Sequence, residues 1–264
     1  MKKTVYICLL LFLLSFSTFS VTAQPPDWND IIGVEYSDMI VPGTEITWLL
    51  KTFTTNDPDP EDWNIVAGHV FNEGDLFILN VTQDPDTLGF THPIDMYLSG
   101  VSWCDFYLND EFLTDNITDI DWFDWGQSVE VITAYILPIT ITIGTEQQNF
   151  FDYLYNYLKD VNFGDDGSLS VKKTDTTLTI KEHVKFTVPG GLFGGDFTYE
   201  YDLKIVYNLE WGVAVLIDMA QETNDVKTNV VLETGIEEIA VPYEWVYGFF
   251  ALLLMGLAAI RRKK

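Results

Sequence analysis

The sequence predicts a mainly β protein of the α+β class, built as an antiparallel sandwich or strongly curved sheet packed on one amphipathic helix. A C-terminal transmembrane helix follows this body. Three observations lead there. The second half of the chain alternates apolar and polar residues over long runs separated by Asn, Asp and Gly turns, the period-two signature of strands with one buried face. One stretch, Thr145 to Asp160, switches to helical periodicity. The residues from Trp245 to Ile260 carry no charge and are followed by Arg261, Arg262, Lys263 and Lys264.

The termini define a topology. Met1-Lys2-Lys3 is a short positive region, Val5 to Phe16 is apolar, and Val21-Thr22-Ala23 places small residues where a signal peptidase reads. Residues 1–23 are therefore expected to be a signal peptide cleaved before Gln24. At the other end, 236–242 form a linker and 243–260 a membrane-spanning helix. Eighteen residues of helix reach roughly 27 Å, close to the thickness of a bilayer's hydrocarbon core. Trp245 sits where an interfacial aromatic belt is expected, and the 261–264 cluster marks the cytoplasmic side. The expected location is the cell membrane, with residues 24–235 outside it and a candidate subdomain boundary near 127.

Charge excludes some partners. All 40 acidic residues lie between Gln24 and Glu244, where they face eight lysines and no arginine. A nucleic-acid surface needs clustered cations to replace counterions, so none is expected. The acidity permits divalent cations, a cationic partner, or solubility alone. After signal cleavage Cys104 is the sole cysteine, which rules out an internal disulfide and leaves a buried thiol or an intermolecular bridge.

In chain order, Val41-Pro42-Gly43 is a turn leading into a strand over Thr44 to Phe53, where Ile46, Trp48 and Leu50 alternate with polar neighbours. Asn56 to Asp62 is an acidic, proline-broken loop. Strands are expected around Trp63 to Phe71 and from Leu76 to Thr82, joined by a tight turn at Asn72 to Asp75. Asn80 and Asn116 each open an N-x-T sequon and are candidate glycosylation sites.

Trp103 to Trp125 interleaves seven aromatics with seven carboxylates. Trp103, Trp122, Trp125, Asp119, Asp121 and Asp124 form a candidate ligand patch. Its aromatic faces suit a sugar, its acids suit Ca²⁺, and the whole suits a protein partner. The competing reading is strand and loop with aromatics inward and acids in water. No D-x-[DN]-x-[DN]-G calcium loop occurs, so Ca²⁺ has weak support and no cofactor is assigned.

Gln127 to Ile143 is β-branched and aliphatic. Thr145-Glu146-Gln147-Gln148 fits a capping box, with Phe150, Phe151, Leu154, Tyr155 and Leu158 along one helical face. Ser168 to Lys173 and Thr176 to Val188 are strands. In the second, Leu178, Ile180, Val184, Phe186 and Val188 face one side, and Thr177, Thr179, Lys181, His183 and Lys185 the other. Pro189 to Gly195 is a loop. Strands follow from Phe197 to Ile205, Val213 to Met219 and Lys227 to Leu232.

His69, His92 and His183 are isolated in sequence. No H-E-x-x-H, zinc-spaced cysteines or G-x-S-x-G elbow occurs, so no catalytic residue is assigned.

The order of short motif, apolar helix and basic terminus resembles tripartite C-terminal sorting signals of the PEP-CTERM, PGF-CTERM and LPxTG types. Val241-Pro242-Tyr243-Glu244 is similar to the first without its second proline. Leu232-Glu233-Thr234-Gly235 is similar to the last without its proline. That resemblance implies cleavage and transfer to a surface glycan or lipid, with a retained anchor as the alternative. The layout as a whole resembles archaeal and bacterial surface proteins. The expected function is a membrane-anchored surface protein with a binding or structural role in the envelope, its partner a surface glycan or a protein. The alternatives are a surface hydrolase using paired carboxylates and a small-ligand or lipid carrier.

Overall fold

The computed structural model describes residues 30–57, 65–66, 69–93, 95, 102–115, 135–161, 167–188 and 197–235. The expected signal peptide, the membrane span and the basic tail lie outside them. Among the described residues no helix is long and apolar enough to cross a membrane.

The strands are β1 (Ile31–Glu35), β2 (Glu45–Thr55), β3 (Ile65–Val66), β4 (His69–Val70), β5 (Leu76–Val81), β6 (Cys104–Leu108) and β7 (Glu111–Thr114). After them come β8 (Thr140–Ile143), β9 (Glu146–Asn149) and the helix α1 (Phe150–Leu158). The chain then continues through β10 (Gly167–Lys173), β11 (Thr177–Val188), β12 (Phe197–Asn208), β13 (Val213–Thr223) and β14 (Val226–Thr234). Among the described residues the protein is mainly β with one α-helix, as its alternation predicts.

Nine strands form one sheet in the order β10-β11-β12-β13-β14-β2-β5-β6-β7, and every neighbouring pair is antiparallel. Strands β10 to β14 are a simple meander, and β14 returns to lie beside β2. Strands from both sides of position 127 therefore share one sheet. A smaller antiparallel sheet has the order β1-β8-β9, and β3 pairs with β4.

Alternation assigns the two faces of the large sheet. Leu178 and Ile180, then Leu203, Ile205 and Tyr207, Ile217 and Met219, Val230 and Leu232 point to a buried inner face. Ile46, Trp48 and Leu50, Phe77 and Leu79, and Phe106 and Leu108 continue it across β2, β5 and β6. These side chains join Ile31 and Ile141 of the small sheet and Phe150, Phe151, Leu154 and Leu158 of α1 in one cluster. Each fully buried aliphatic or aromatic side chain contributes about 1.5–3 kcal/mol, which makes this cluster the main source of stability.

Helix α1 lies over the meander: Phe151 meets Tyr207 with ring centroids 5.9 Å apart, and Lys173 of β10 pairs with Asp152 at 2.9 Å. The helix starts later than its capping box predicts. Thr145 to Gln148 belong to the β8–β9 hairpin, where Ile141 pairs with Gln148 and Ile143 with Glu146. Ladder bonds satisfy that backbone, so the cap passes to Asn149, whose side chain accepts from the Asp152 N–H at 2.9 Å.

A bulge organises the centre of the inner face. Register slips between Val206 and Tyr207 of β12, leaving Val215 as an extra residue in β13. Beside it, Ala214 turns its backbone to other partners: its N–H donates to Tyr135 O at 2.8 Å, and its carbonyl accepts from Trp48 Nε1 at 2.7 Å.

Candidate functional site

The outer face of the large sheet divides into two chemically distinct halves. Over β11 to β14 it is ionic. Antiparallel register sets Lys185 opposite Glu200, Glu200 opposite Glu222, and Glu222 opposite Lys227. Lys185 donates to Glu200, and Lys227 pairs with Glu222 at 2.9 Å. The hydrogen bond from Lys185 holds the Glu200 carboxyl below its usual range and raises the Lys185 ammonium in turn. The lysines are exposed and the glutamates half-buried on this open face, so water screens most of the pairs' worth to stability.

Over β2, β5, β6 and β7 the same face is apolar and aromatic. One row across the strands reads Thr47, Ile78, Tyr107 and Phe112, and the next contains Leu49 and Leu76. The rings of Tyr107 and Phe112 meet edge to face at 5.6 Å. Phe112 is 49 % exposed and Leu76 37 %. A contiguous apolar patch rimmed by polar residues is what a contact surface presents, whereas singly scattered apolar groups are ordinary.

Carboxylates border these rings. Asp105 Oδ2 accepts from the Tyr107 hydroxyl at 3.4 Å, and loss of solvation, helped by that carboxylate, raises the phenol above its usual pKa. Glu111 lies 3.4 Å from His69 Nδ1. Asn109, at φ 54° in the β6–β7 turn, holds the corner by donating to Asp75 at 3.0 Å and accepting from the Leu76 N–H at 3.0 Å. Among the described residues β7 pairs with β6 alone and ends the strand order on that side. Aromatic faces flanked by carboxylates suit an apolar group carrying a positive charge, or the C–H face of a sugar.

The inner face also holds a polar row at one end. Glu182 is 3 % exposed between Ile180 and Val184. Tyr201 lies opposite Gln221, Gln221 opposite Thr228, and Thr228 opposite Thr55. Thr228 donates to Thr55 at 3.1 Å, and the Gln221 amide donates to Thr223 at 3.1 Å. Burial, and then the Glu182 carboxylate, push the Tyr199 and Tyr201 phenols far above their ordinary range. Both hydroxyls therefore stay protonated at any physiological pH.

The residues singled out in the sequence fall in different places. Trp103 is fully buried just before β6, and its indole N–H has no hydrogen-bond partner among the described residues. It belongs to the core and contributes nothing to a surface patch. Trp122, Trp125, Asp119, Asp121 and Asp124 lie outside the described residues, as do Asn116, Trp245 and Arg261 to Lys264. Asn80 is half-buried on the outer face of β5, between Glu45 and Asp105. Cys104 is a buried free thiol, its pKa pushed far up by burial and then by Asp105 and Asp115.

Glu182 and the Tyr107–Phe112 pair were not singled out in the sequence, although strand alternation assigns both to their faces. No known protein family matches the chain, and no curated protein or solved structure is significantly similar to it.

Proposed function

We propose that this chain is a membrane-anchored cell-surface protein whose β body binds a partner through the aromatic half of its outer sheet face. The pairing of half-buried Tyr107 with exposed Phe112 carries the reading, set between Ile78, Leu76 and a border of carboxylates. Export and anchoring rest on the sequence alone: the Lys2-Lys3 start with its apolar run, and the uncharged 245–260 stretch ahead of four cations. In this reading the large sheet curves over α1, and the transmembrane helix follows β14. The partner is a cell-surface protein or glycan presenting apolar or cationic groups.

The test uses intact cells carrying the wild-type chain or a Phe112→Asp variant. Surface biotinylation is expected to label both equally, and a short cross-linker to trap an adduct with the wild type only. Equal cross-linking of the two would remove the aromatic face from the binding role. Absence of surface labelling would remove the location.

The polar inner row favours a second reading, a carrier whose ligand places a polar head against Tyr201, Gln221 and Thr228. Native mass spectrometry of the gently extracted chain distinguishes the two: a carrier retains a small molecule, and a surface-binding protein does not.

A further inference from the structure

We propose that His183, Glu200 and Asp202 form a binding site for a zinc-class divalent cation on the ionic half of the outer face, with Lys185 as its built-in competitor. The strand register creates the arrangement. Glu182 and Val184 are buried inward, so His183 and Lys185 project outward from β11. Across the ladder His183 lies opposite Asp202, and Lys185 lies opposite Glu200. Four side chains thus occupy a two-by-two grid on adjacent strands.

Three corners of that grid offer metal donors, an imidazole nitrogen and two carboxylate oxygens, all within 4.8 Å of one another. His183 Nδ1 and Asp202 Oδ1 are 2.9 Å apart. Donors around a tetrahedral zinc ion stand about 3.4 Å from each other, so modest side-chain rotation converts the cluster into a ligand set. The mixed nitrogen and oxygen chemistry favours zinc or a neighbouring transition ion over Ca²⁺, which takes six or more oxygens.

The fourth corner explains the control. The Lys185 ammonium already donates to Glu200, the carboxylate a metal needs. A divalent ion has to displace that contact and then tolerate a like charge beside it. Occupancy is therefore set by the surrounding metal concentration and held down chiefly by the lysine that donates to Glu200.

The experiment is a calorimetric titration of Zn²⁺ into the purified full chain, with Co²⁺ absorption as a second readout of donor geometry. The wild type is expected to take up one ion at a saturable site that excess Ca²⁺ does not block. His183→Ala and Asp202→Asn are each expected to weaken binding by about tenfold or more. Lys185→Met removes the competing charge and is expected to tighten binding by about tenfold. A gain of about tenfold at a stoichiometry of one ion, in a variant whose circular dichroism matches the wild type, is not what misfolding produces, so this variant keeps the test decisive even where a loss-of-ligand variant is unstable. Uptake unaffected by His183→Ala, no tightening in Lys185→Met, or no saturable uptake by either the wild type or Lys185→Met would each overturn the site.

Discussion

Trp48 and Ala214, 166 residues apart in sequence, are joined by a buried hydrogen bond of 2.7 Å from the indole N–H to a backbone carbonyl. The bond exists because the β12–β13 bulge turns that carbonyl out of the ladder. The Trp48 ring also meets Tyr135, with centroids 5.2 Å apart, and the Ala214 N–H donates to the Tyr135 carbonyl. Three distant segments are thereby locked at one point of the core. Trp48→Phe keeps an aromatic ring but leaves the Ala214 oxygen without this donor. The expected loss is about 1–3 kcal/mol of unfolding free energy in urea titration, the cost of stranding one buried polar group.

Gly212 closes the same junction from the other side. Its φ is +70°, and its carbonyl accepts from the Leu137 N–H at 2.7 Å. A Cβ added there would stand 2.2 Å from the Leu137 carbonyl oxygen, closer than any real contact. Gly43, at φ +91°, has open space around its would-be Cβ. Gly43→Ala is therefore expected to cost about 1 kcal/mol, the backbone penalty alone. Gly212→Ala should cost more than about 2 kcal/mol, because the Tyr135–Leu137 segment has to move. Equal melting temperatures for the two variants would show that the junction relaxes without strain.

Much of the fold is legible because strand burial follows simple alternation. The meander from β10 to β14 and the strand through Trp48 stand where period-two patterning puts them. Glu182 occupies an inward position among Leu178, Ile180 and Val184, and its charge hides that from a reading that collects only apolar residues. The pairing of β14 with β2 is invisible locally, since nothing in either strand names its partner. The cap of α1 is hidden for a related reason: Thr145 to Gln148 satisfy both a capping box and a hairpin arm, and tertiary pairing with β8 decides. The cation grid depends on cross-strand register, so His183 reads as an isolated histidine until β12 is laid beside it.

The two candidate caps make opposite predictions. Asn149 accepts from the Asp152 N–H, so Asn149→Ala is expected to lower stability by about 1 kcal/mol. Thr145 is an exposed residue of the β8–β9 turn, and Thr145→Ala should shift stability by less than about 0.5 kcal/mol. Thermal melts of the two variants check this, and a larger loss at Thr145 would restore the earlier helix start.

Cys104 provides a chemical probe of the inner face. Its thiol is buried under β6 packing, and burial disfavours the thiolate that alkylating reagents attack. Iodoacetamide at pH 8 is expected to leave Cys104 unmodified in the folded chain and to modify it fully in denaturant, read by mass. Rapid labelling of the native protein would mean that the core around Trp103 and Phe106 opens readily.

His92 sets a pH dependence with a definite sign. Partial burial lowers its imidazole pKa from the ordinary 6.5, and Asp95 offsets only part of the shift. Below pH 6.5 the unfolded chain therefore binds more protons at this position than the folded one. The His92 contribution to stability is full above that pH and falls as the solution is acidified toward the lowered folded value. Asp95 works locally in the same turn, accepting from the Thr91 and His92 N–H groups at 2.8 Å each. Denaturant midpoints measured from pH 7.5 to 5.5 should decline for the wild type and decline less steeply for His92→Gln. A steeper decline in the variant would mean that the folded protein prefers the charged imidazole, with Asp95 outweighing burial.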